Sequence, residues 1–176
     1  MDAPTDPPKI TPDEKDWTVV ITDGCAQCGF SAQVDVTRTG DLVRASVPVW
    51  QEALARDDAR QRPTPTTWSP LEYACHVRDV CRVFLGRLDL MLTDDPARFA
   101  NWDGEAAAVQ DRYHAQDPVS VAAEYESAAR ALAEAFDRVE GAQWQRRGLR
   151  GDGYGFTVES FARYLLHELH HHAGDV

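Results

Sequence analysis

Apolar residues recur at steps of three and four residues in four separate stretches of this chain, and that spacing is the period of an amphipathic α-helix. The stretches cover residues 41–57, 69–93 and 117–141, and the last one runs from residue 157 towards the carboxyl end. Each such helix has one apolar stripe that must be buried against a neighbour. The pattern therefore predicts an all-α fold in which four helices pack around one core, and 176 residues suffice for one such domain.

Three of the predicted helices carry recognisable start signals. Ser69-Pro70-Leu71-Glu72 combines an N-cap serine, a proline at the first helical position and a glutamate three residues after the cap. Asp117-Pro118 repeats the cap and the proline, and Thr157 is the expected N-cap of the last helix, after a glycine-rich turn at 151–155. These signals fix where the second, third and fourth helices begin.

The first 40 residues lack the helical periodicity. Residues 1–16 carry four prolines among many Asp and Thr residues, which predicts a disordered or loosely packed tail. Residues 17–40 begin with the β-branched run WTVVIT, followed by Asp-Gly and Cys-x-x-Cys-Gly turn signals. They predict a short irregular or hairpin-like N-terminal cap, and the bundle itself is expected to occupy residues 41–176.

The charge balance excludes some classes of partner. The formal net charge is −11, so the chain offers no positive surface to a phosphate backbone or an anionic membrane. No apolar run approaches the ~20 residues that a membrane-spanning helix needs, and the first eleven residues lack the pattern of a signal peptide. We therefore expect a cytoplasmic protein that binds neither nucleic acid nor membranes.

Four of the six histidines lie in the last predicted helix, within residues 167–172. His167 and His171 are four residues apart, so their imidazoles project from one helical face and can reach a single ion. A third ligand must come from elsewhere. His76 lies in the second turn of the second helix, at a level that a bundle would bury, whereas His114 lies in a polar linker. The predicted metal ligands are therefore His76, His167 and His171.

This triad constrains the order of the helices. His76 is near the start of the second helix, while His167 and His171 are near the end of the fourth, so the three meet only if these two helices are antiparallel. Simple up-down-up-down order would make the helices parallel and separate the groups by roughly 20 Å. The stretch 94–117 is long enough to return the chain along the bundle. We therefore predict up-down-down-up order.

Three neutral imidazoles leave coordination positions open, which is typical of a catalytic rather than a structural metal site. Zinc is the first expectation, and nickel, iron and copper accept the same ligands. Glu72 and Asp79 flank His76 at helical spacing, where either could orient its ring through a hydrogen bond or simply be solvated. Arg163 and His172 are candidates for contact with an anionic substrate.

Cys25 and Cys28 have the spacing of half a zinc knuckle, because two thiolates separated by two residues can chelate one ion. The sequence shows no matching second half, since Cys75 and Cys81 are not a Cys-x-x-Cys pair. A structural or disulfide-forming turn, a second metal site and a redox pair all stay open for Cys25 and Cys28.

Three segments of the chain resemble the DinB/YfiT-like superfamily. They are WSPLEYACHVRD at 68–79, DRYHAQDP at 111–118, and the stretch 156–172 that ends in HELHHH. The resemblance covers residues 41–176 and implies a four-helix bundle with the helix order given above and a metal-binding histidine triad. The family includes thiol S-transferases that use mycothiol or bacillithiol, and a mycothiol-dependent maleylpyruvate isomerase.

Three functions are compatible with these features. The first is a metal-dependent transferase that uses a low-molecular-weight, mycothiol-like thiol as nucleophile on a small electrophile. The second is a metal-dependent hydrolase on the same site, and the third is a metal-binding stress protein without catalysis. A deep polar cavity at the metal would favour an enzyme, and a closed site the third function. The expected partners are a small-molecule thiol and an electrophile, with a homodimer left open.

Overall fold

A computed structural model describes residues 6–176 of the chain, and its regular elements lie in the order expected for a helical bundle. The α-helices are α1 (Val20–Asp23), α2 (Thr39–Ala45), α3 (Val47–Ala55), α4 (Pro70–Thr93), α5 (Gly104–Gln110), α6 (Pro118–Asp137) and α7 (Val158–Ala173). The strands are β1 (Ala97–Phe99), β2 (Arg147–Arg150) and β3 (Gly155–Thr157). The bundle consists of α2 with α3, then α4, α6 and α7. None of the helices in the described part of the chain combines the length and apolar character needed to cross a bilayer.

Helices α4 and α7 are antiparallel. Near the start of α4, His76 Nε2 lies 3.8 Å from Glu168 Oε2 near the end of α7. Further along α4, the ring of Phe84 stacks on Phe161 near the start of α7, with centroids 4.4 Å apart. Partner positions therefore advance in opposite directions along the two helices.

Helices α4 and α6 are parallel. Cys75 Sγ lies 3.5 Å from Gln116 Oε1, just before α6, and Arg78 donates a hydrogen bond of 2.7 Å to Glu124 within it. Residues later in α4 therefore contact residues later in α6, as expected of parallel helices. The residues between the two helices, which include β1 and α5, return the chain along the bundle as the length of this segment predicts.

The first bundle helix is antiparallel to α6. Arg44 in α2 pairs with Asp137 at the end of α6, and Gln51 in α3 donates to Glu126 nearer its start, at 3.0 Å. Together the three relationships confirm the predicted all-α, up-down-down-up four-helix bundle.

The start signals of α4, α6 and α7 are confirmed at the predicted residues. Ser69 forms a capping box with Glu72, while Asp117 and Thr157 each accept a hydrogen bond from the backbone N–H of residue N3. The predicted single helix over 41–57 is wrong in one respect. It is broken at Ser46 into α2 and α3, because Pro48 has no N–H to donate to the preceding turn.

A small sheet that the sequence pattern did not predict closes one part of the bundle. Strand β2 lies in the middle, parallel to β1 and antiparallel to β3. The strands contain only three or four residues each, too few to show an alternating pattern. The sheet joins the segment between α4 and α6, which contains β1, to the turn that leads into α7.

The segment before the bundle folds over the carboxyl end of α7. The run WTVVIT forms a 3₁₀ turn and α1 rather than a hairpin strand. Residues 6–16 contain no helix or strand, but Thr11 donates to the Thr66 carbonyl at 3.0 Å and Arg62 donates to the Pro8 carbonyl at 2.7 Å. The predicted loose tail thus includes a part that contacts the bundle, and residues 1–5 lie outside the described part of the chain.

Candidate metal centre

The last three turns of α7 present metal-binding side chains on two adjacent faces. His167 and His171 lie on one face, and Glu168 and His172 lie on the next, each pair separated by four residues. Neighbouring residues of a helix point about 100° apart, so the two pairs point in different directions, although all four side chains line one cavity. The structure accordingly forms two groups of candidate ligands.

The first group, here called the cavity cluster, consists of His76, Glu168 and His172. Each offers one ligand atom, and these atoms lie within 4.8 Å of one another. Glu168 Oε2 is shared, at 3.8 Å from His76 Nε2 and 3.6 Å from His172 Nε2. Two imidazoles and one carboxylate are a ligand set found in catalytic zinc sites and non-haem iron sites.

A second carboxylate orients His172. Asp175 Oδ2 lies 2.9 Å from His172 Nδ1, so the opposite ring nitrogen faces Glu168. Carboxylates in this position commonly fix the tautomer of a metal-binding histidine. Burial disfavours the charged ring, yet the hydrogen bond with Asp175 and the nearby carboxylate of Glu168 raise the pKa of His172 to about 9.

The other two members of the cluster have shifted pKa values as well. Burial alone would raise the pKa of Glu168, but the imidazoles of His172 and His76, 3.6 and 3.8 Å away, hold it well below its usual range. Burial lowers the pKa of His76, whose Nδ1 has no hydrogen-bond partner within residues 6–176. Metal binding requires an ionised carboxylate and neutral imidazoles, a state that Glu168 and His76 already have and that His172 would reach by releasing its proton.

The cavity cluster opens onto a cavity of about 1000 Å³. Aromatic and cationic side chains contribute to its lining: Trp17, Tyr73, Arg87, Trp102, Arg150 and Tyr164. The ring of Trp102 stacks on His76 with centroids 5.5 Å apart. Arg87 is 9% exposed and donates to the Ala100 carbonyl at 2.8 Å. An ion at the cluster would therefore be reached by a small molecule.

The second group, here called the cysteine cluster, consists of Cys25, Cys28, His167 and His171. Its four ligand atoms also lie within 4.8 Å of one another. Both thiols are free. Burial alone would raise the pKa of Cys25, but hydrogen bonds from the backbone and thiol of Cys28 lower it. The cysteines come from the N-terminal cap and the histidines from α7.

The histidines of the cysteine cluster are poorly satisfied by protein partners. His167 is 1% exposed, and neither ring nitrogen has a hydrogen-bond partner within residues 6–176, nor does His171 Nδ1. Burial lowers the pKa of His167 to about 4, so its ring is neutral. Buried polar atoms normally find partners, so these nitrogens indicate a place where a ligand belongs.

Comparisons with known proteins agree with this fold. The sequence profile of the DinB superfamily matches residues 39–176. The chain belongs to the DinB superfamily. A search of curated proteins finds no match. Among solved structures, a protein from Bacillus subtilis, described as "YfiT … a probable metal-dependent hydrolase with an unusual four-helix bundle topology", is similar with a TM-score of 0.70. It is 15% identical, and the match covers 94% of this chain and 89% of YfiT.

In this DinB superfamily member the structure divides the predicted triad between the two clusters. His76 faces Glu168 and His172, whereas His167 and His171 face Cys25 and Cys28. The predicted triad stays a prediction, although α7 turns the face that carries Glu168 and His172 towards α4. Sequence reasoning missed Glu168 as a ligand candidate and placed His172 only at the substrate. The spacing of four residues between them was the available signal.

Glu72 and Asp79 do not hydrogen-bond to His76. Glu72 completes the capping box of α4 and accepts from Arg62 at 2.9 Å. Asp79 accepts from Arg78 at 2.9 Å and from the Tyr113 hydroxyl. Both carboxylates therefore stabilise α4 and its contacts, rather than orienting His76 or being simply solvated, the two roles that the sequence left open.

The remaining candidates lie apart from the cavity cluster. Arg163 pairs with Glu159 one turn earlier, at 2.9 Å, and is not part of the cavity lining. His170 Nε2 lies 3.0 Å from the Cys28 carbonyl oxygen and so fastens the N-terminal cap to α7. Cys75 is fully buried beside Gln116, and burial raises the pKa of its thiol to about 12. Cys75 is therefore a poor nucleophile.

Proposed function

We propose that this protein is a metal-dependent thiol S-transferase whose catalytic ion is held by His76, Glu168 and His172. The observation that carries the proposal is the opening of this three-ligand cluster onto a cavity of about 1000 Å³. Three protein ligands leave a coordination position for substrate, as in catalytic zinc sites. A closed site without a cavity would instead favour a non-catalytic protein. Zinc is the proposed metal, because two imidazoles and a carboxylate suit it.

A divalent ion in this cluster supplies a Lewis acid that lowers the pKa of a coordinated thiol. The protein groups around it orient and shield the reactants. Asp175 holds the ring of His172 in place, and Trp102 packs on His76. In the reaction a sulfur–carbon bond forms, the leaving group departs with the bonding electrons, and the thiol proton passes to solvent.

The cavity is large enough for two reactants. Pockets for one small molecule measure about 300–1,000 Å³, whereas a hydrolytic water needs about 30 Å³. The volume of about 1000 Å³ lies at the upper end of that range, so the cavity can hold a mycothiol-like thiol beside a small electrophile, and it can equally hold the substrate of a hydrolase with its water. Arg87 lines this space, and within residues 6–176 no carboxylate forms an ion pair with it, so its charge suits an anionic group on either substrate.

Hydrolysis is the second candidate function. Zinc hydrolases use two histidines and a glutamate with water in the open position, which is the donor set of the cavity cluster. YfiT, which shares this fold, is described as a probable metal-dependent hydrolase. The two reactions differ in what is added to the electrophile, a thiol or the elements of water.

Product analysis tests the proposal. Protein loaded with zinc should convert a panel of small electrophiles, with mycothiol as cosubstrate, into thioethers detected by mass spectrometry. His76→Ala should lower the rate by on the order of 100-fold or more, since even partners outside the first coordination shell typically cost 10–100-fold. Cys75→Ala should retain the rate. Products that contain added water instead would establish hydrolysis, and turnover by metal-free protein would contradict both functions.

A glycine next to His76 offers a milder test of the same site. A Cβ on Gly104 would lie 2.8 Å from His76 Cε1 and 2.9 Å from Nδ1. The His76 ring cannot move freely because it stacks on Trp102. Gly104→Ala should therefore weaken zinc binding at the cavity cluster by roughly 10-fold, comparable to the loss of an orienting partner.

The matched control for Gly104→Ala is Gly86→Ala in α4, where a Cβ would meet nothing within 4 Å. Competition with a zinc-binding dye would give both affinities. Gly86→Ala should bind zinc like the wild type. Equal affinities in Gly104→Ala and Gly86→Ala would show that the position of His76 does not matter for binding.

A further inference from the structure

We propose that Cys25, Cys28, His167 and His171 form a second metal site, with four protein ligands, that binds Zn²⁺ and fastens the N-terminal cap to α7. Its ligands differ from those of the cavity cluster, although His167 and His171 also line the cavity, and it does not depend on the proposed activity. It has four protein ligands, which is typical of structural rather than catalytic zinc sites. The half knuckle seen in the sequence thus acquires its second half from a helix about 140 residues away.

The donor atoms are of the right type and nearly in place. Two thiolates and two imidazoles are a common structural zinc set. Zinc bonds of about 2.0–2.3 Å in a tetrahedron place the ligand atoms about 3.3–3.8 Å apart. The four atoms already lie within 4.8 Å of one another. Small side-chain rotations would therefore close the site without moving the backbone.

The backbone around the two cysteines is already shaped for chelation. Gly24 and Gly29 adopt positive φ angles of 71° and 77°. The Cys25 N–H donates to the Phe30 carbonyl at 2.9 Å, and the Gly29 N–H donates to the Cys25 carbonyl at 2.8 Å. A Cβ on Gly24 would lie 2.5 Å from the Phe30 carbonyl oxygen, so this tight turn requires glycine. The turn brings both thiols to the side that faces α7.

A metal also explains the buried nitrogens. Both ring nitrogens of His167 lack a partner within residues 6–176, although the side chain is 1% exposed. A disulfide between Cys25 and Cys28 would leave these nitrogens unsatisfied, whereas zinc would bind one of them. In binding, the two thiols each release a proton to solvent and the neutral imidazoles donate lone pairs. The resulting site has no net charge, which suits burial.

The site would hold one wall of the cavity. The ring of Trp17 stacks on His167 with centroids 5.1 Å apart and meets His171 edge-on at 4.7 Å. Trp17 lines the cavity, as do Ile10, Thr11 and Asp13 of the segment before it. Zinc at the cysteine cluster therefore positions the N-terminal segment over the cavity cluster.

Cobalt substitution tests the ligand set. Co²⁺ bound to thiolates produces sulfur-to-metal charge-transfer absorption in the near ultraviolet, which histidine and carboxylate ligands do not. Wild-type protein loaded with Co²⁺ should show these bands and bind two ions per chain. Cys28→Ser should lose the bands and one ion, while His76→Ala should lose one ion and keep the bands. Cys75→Ser, the matched control, should keep both. Absence of the bands from fully reduced wild-type protein would overturn the proposal.

Alkylation of the wild-type protein provides a test that needs no variant. Zinc should protect Cys25 and Cys28 from iodoacetamide, and addition of a chelator should increase their rate of modification by at least 10-fold, as followed by peptide mass spectrometry. Equal rates with and without chelator would contradict the proposal. A disulfide between Cys25 and Cys28 in zinc-loaded protein, seen as a mass lower by two hydrogens, would also contradict it.

Discussion

Replacing Glu168 with Gln should lower turnover by on the order of 100-fold or more and remove one metal ion per chain, while His167→Ala should retain most of kcat. Glu168 Oε2 lies between His76 Nε2 and His172 Nε2, so the amide would remove the only anionic ligand of the cavity cluster. Even orienting partners of metal ligands are worth about 10–100-fold. His167 belongs to the cysteine cluster, and its loss should affect stability and KM more than kcat.

This comparison separates the ligand set proposed from the structure from the one predicted by the sequence. Steady-state kinetics and elemental analysis of both variants would be measured together. The matched control is Glu159→Gln, on the same helix, where the carboxylate pairs with Arg163. If His167→Ala abolished turnover and Glu168→Gln did not, the triad of His76, His167 and His171 would be correct after all.

The sequence could not decide between the two faces of α7, because both carry ligand pairs at the same spacing. The apolar stripe of this helix offers the missing signal. Phe161 and Leu165 are fully buried, and continuing their spacing by three and then four residues reaches Glu168 and His172. Metal ligands that extend a core stripe face the neighbouring helix, here α4 with His76. The pair of His167 and His171 drew attention because both residues are histidines, but it lies on the adjacent face of α7.

The fold was easier to predict than the site, because helix caps are local. Ser69, Asp117 and Thr157 each act as predicted, since capping depends only on residues within one turn. Helix order followed from placing His76 near the histidines at the end of the last helix, an arrangement that the length of the segment 94–117 allows. The break at Ser46 also has a local cause, which is Pro48. It was missed in the sequence analysis because the spacing of apolar residues continues across the break.

The surroundings of the cysteines could not be predicted from local pattern. The composition of residues 1–16 predicts a disordered or loosely packed tail. In the structure, however, Trp17 Nε1 donates a hydrogen bond to Asp13 Oδ2 at 2.6 Å, and Ile10 lines the cavity. The contact of Cys25 and Cys28 with α7 depends on where the cap crosses the bundle, a tertiary relationship that periodicity does not contain. Half a metal site in the sequence is therefore a reason to search distant helices for unpartnered histidines.

Phe161→Ala should destabilise the protein by about 3–5 kcal/mol, a large share of the 5–15 kcal/mol typical of folded domains. Phe161 is fully buried and joins α7 to two other elements. It stacks on Phe84 of α4 at 4.4 Å and meets Phe156 of β3 edge-on at 5.5 Å. Truncation leaves a cavity that helices and sheet cannot both close, so the thermal midpoint should fall by on the order of 10 °C.

Two control variants test whether the loss of stability in Phe161→Ala comes from lost packing at this position. Phe161→Leu, which retains most of the volume, should lose only about 1–2 kcal/mol, and Val119→Ala, at a site 79% exposed, should stay within about 0.5 kcal/mol of the wild type. Urea unfolding at equal metal content gives all three values, because bound metal would otherwise shift each one. A loss below about 1 kcal/mol for Phe161→Ala would mean that the bundle relaxes around this position and that α7 is held mainly by its carboxyl end. In that case removing zinc from the cysteine cluster should lower the free energy of unfolding more than Phe161→Ala does.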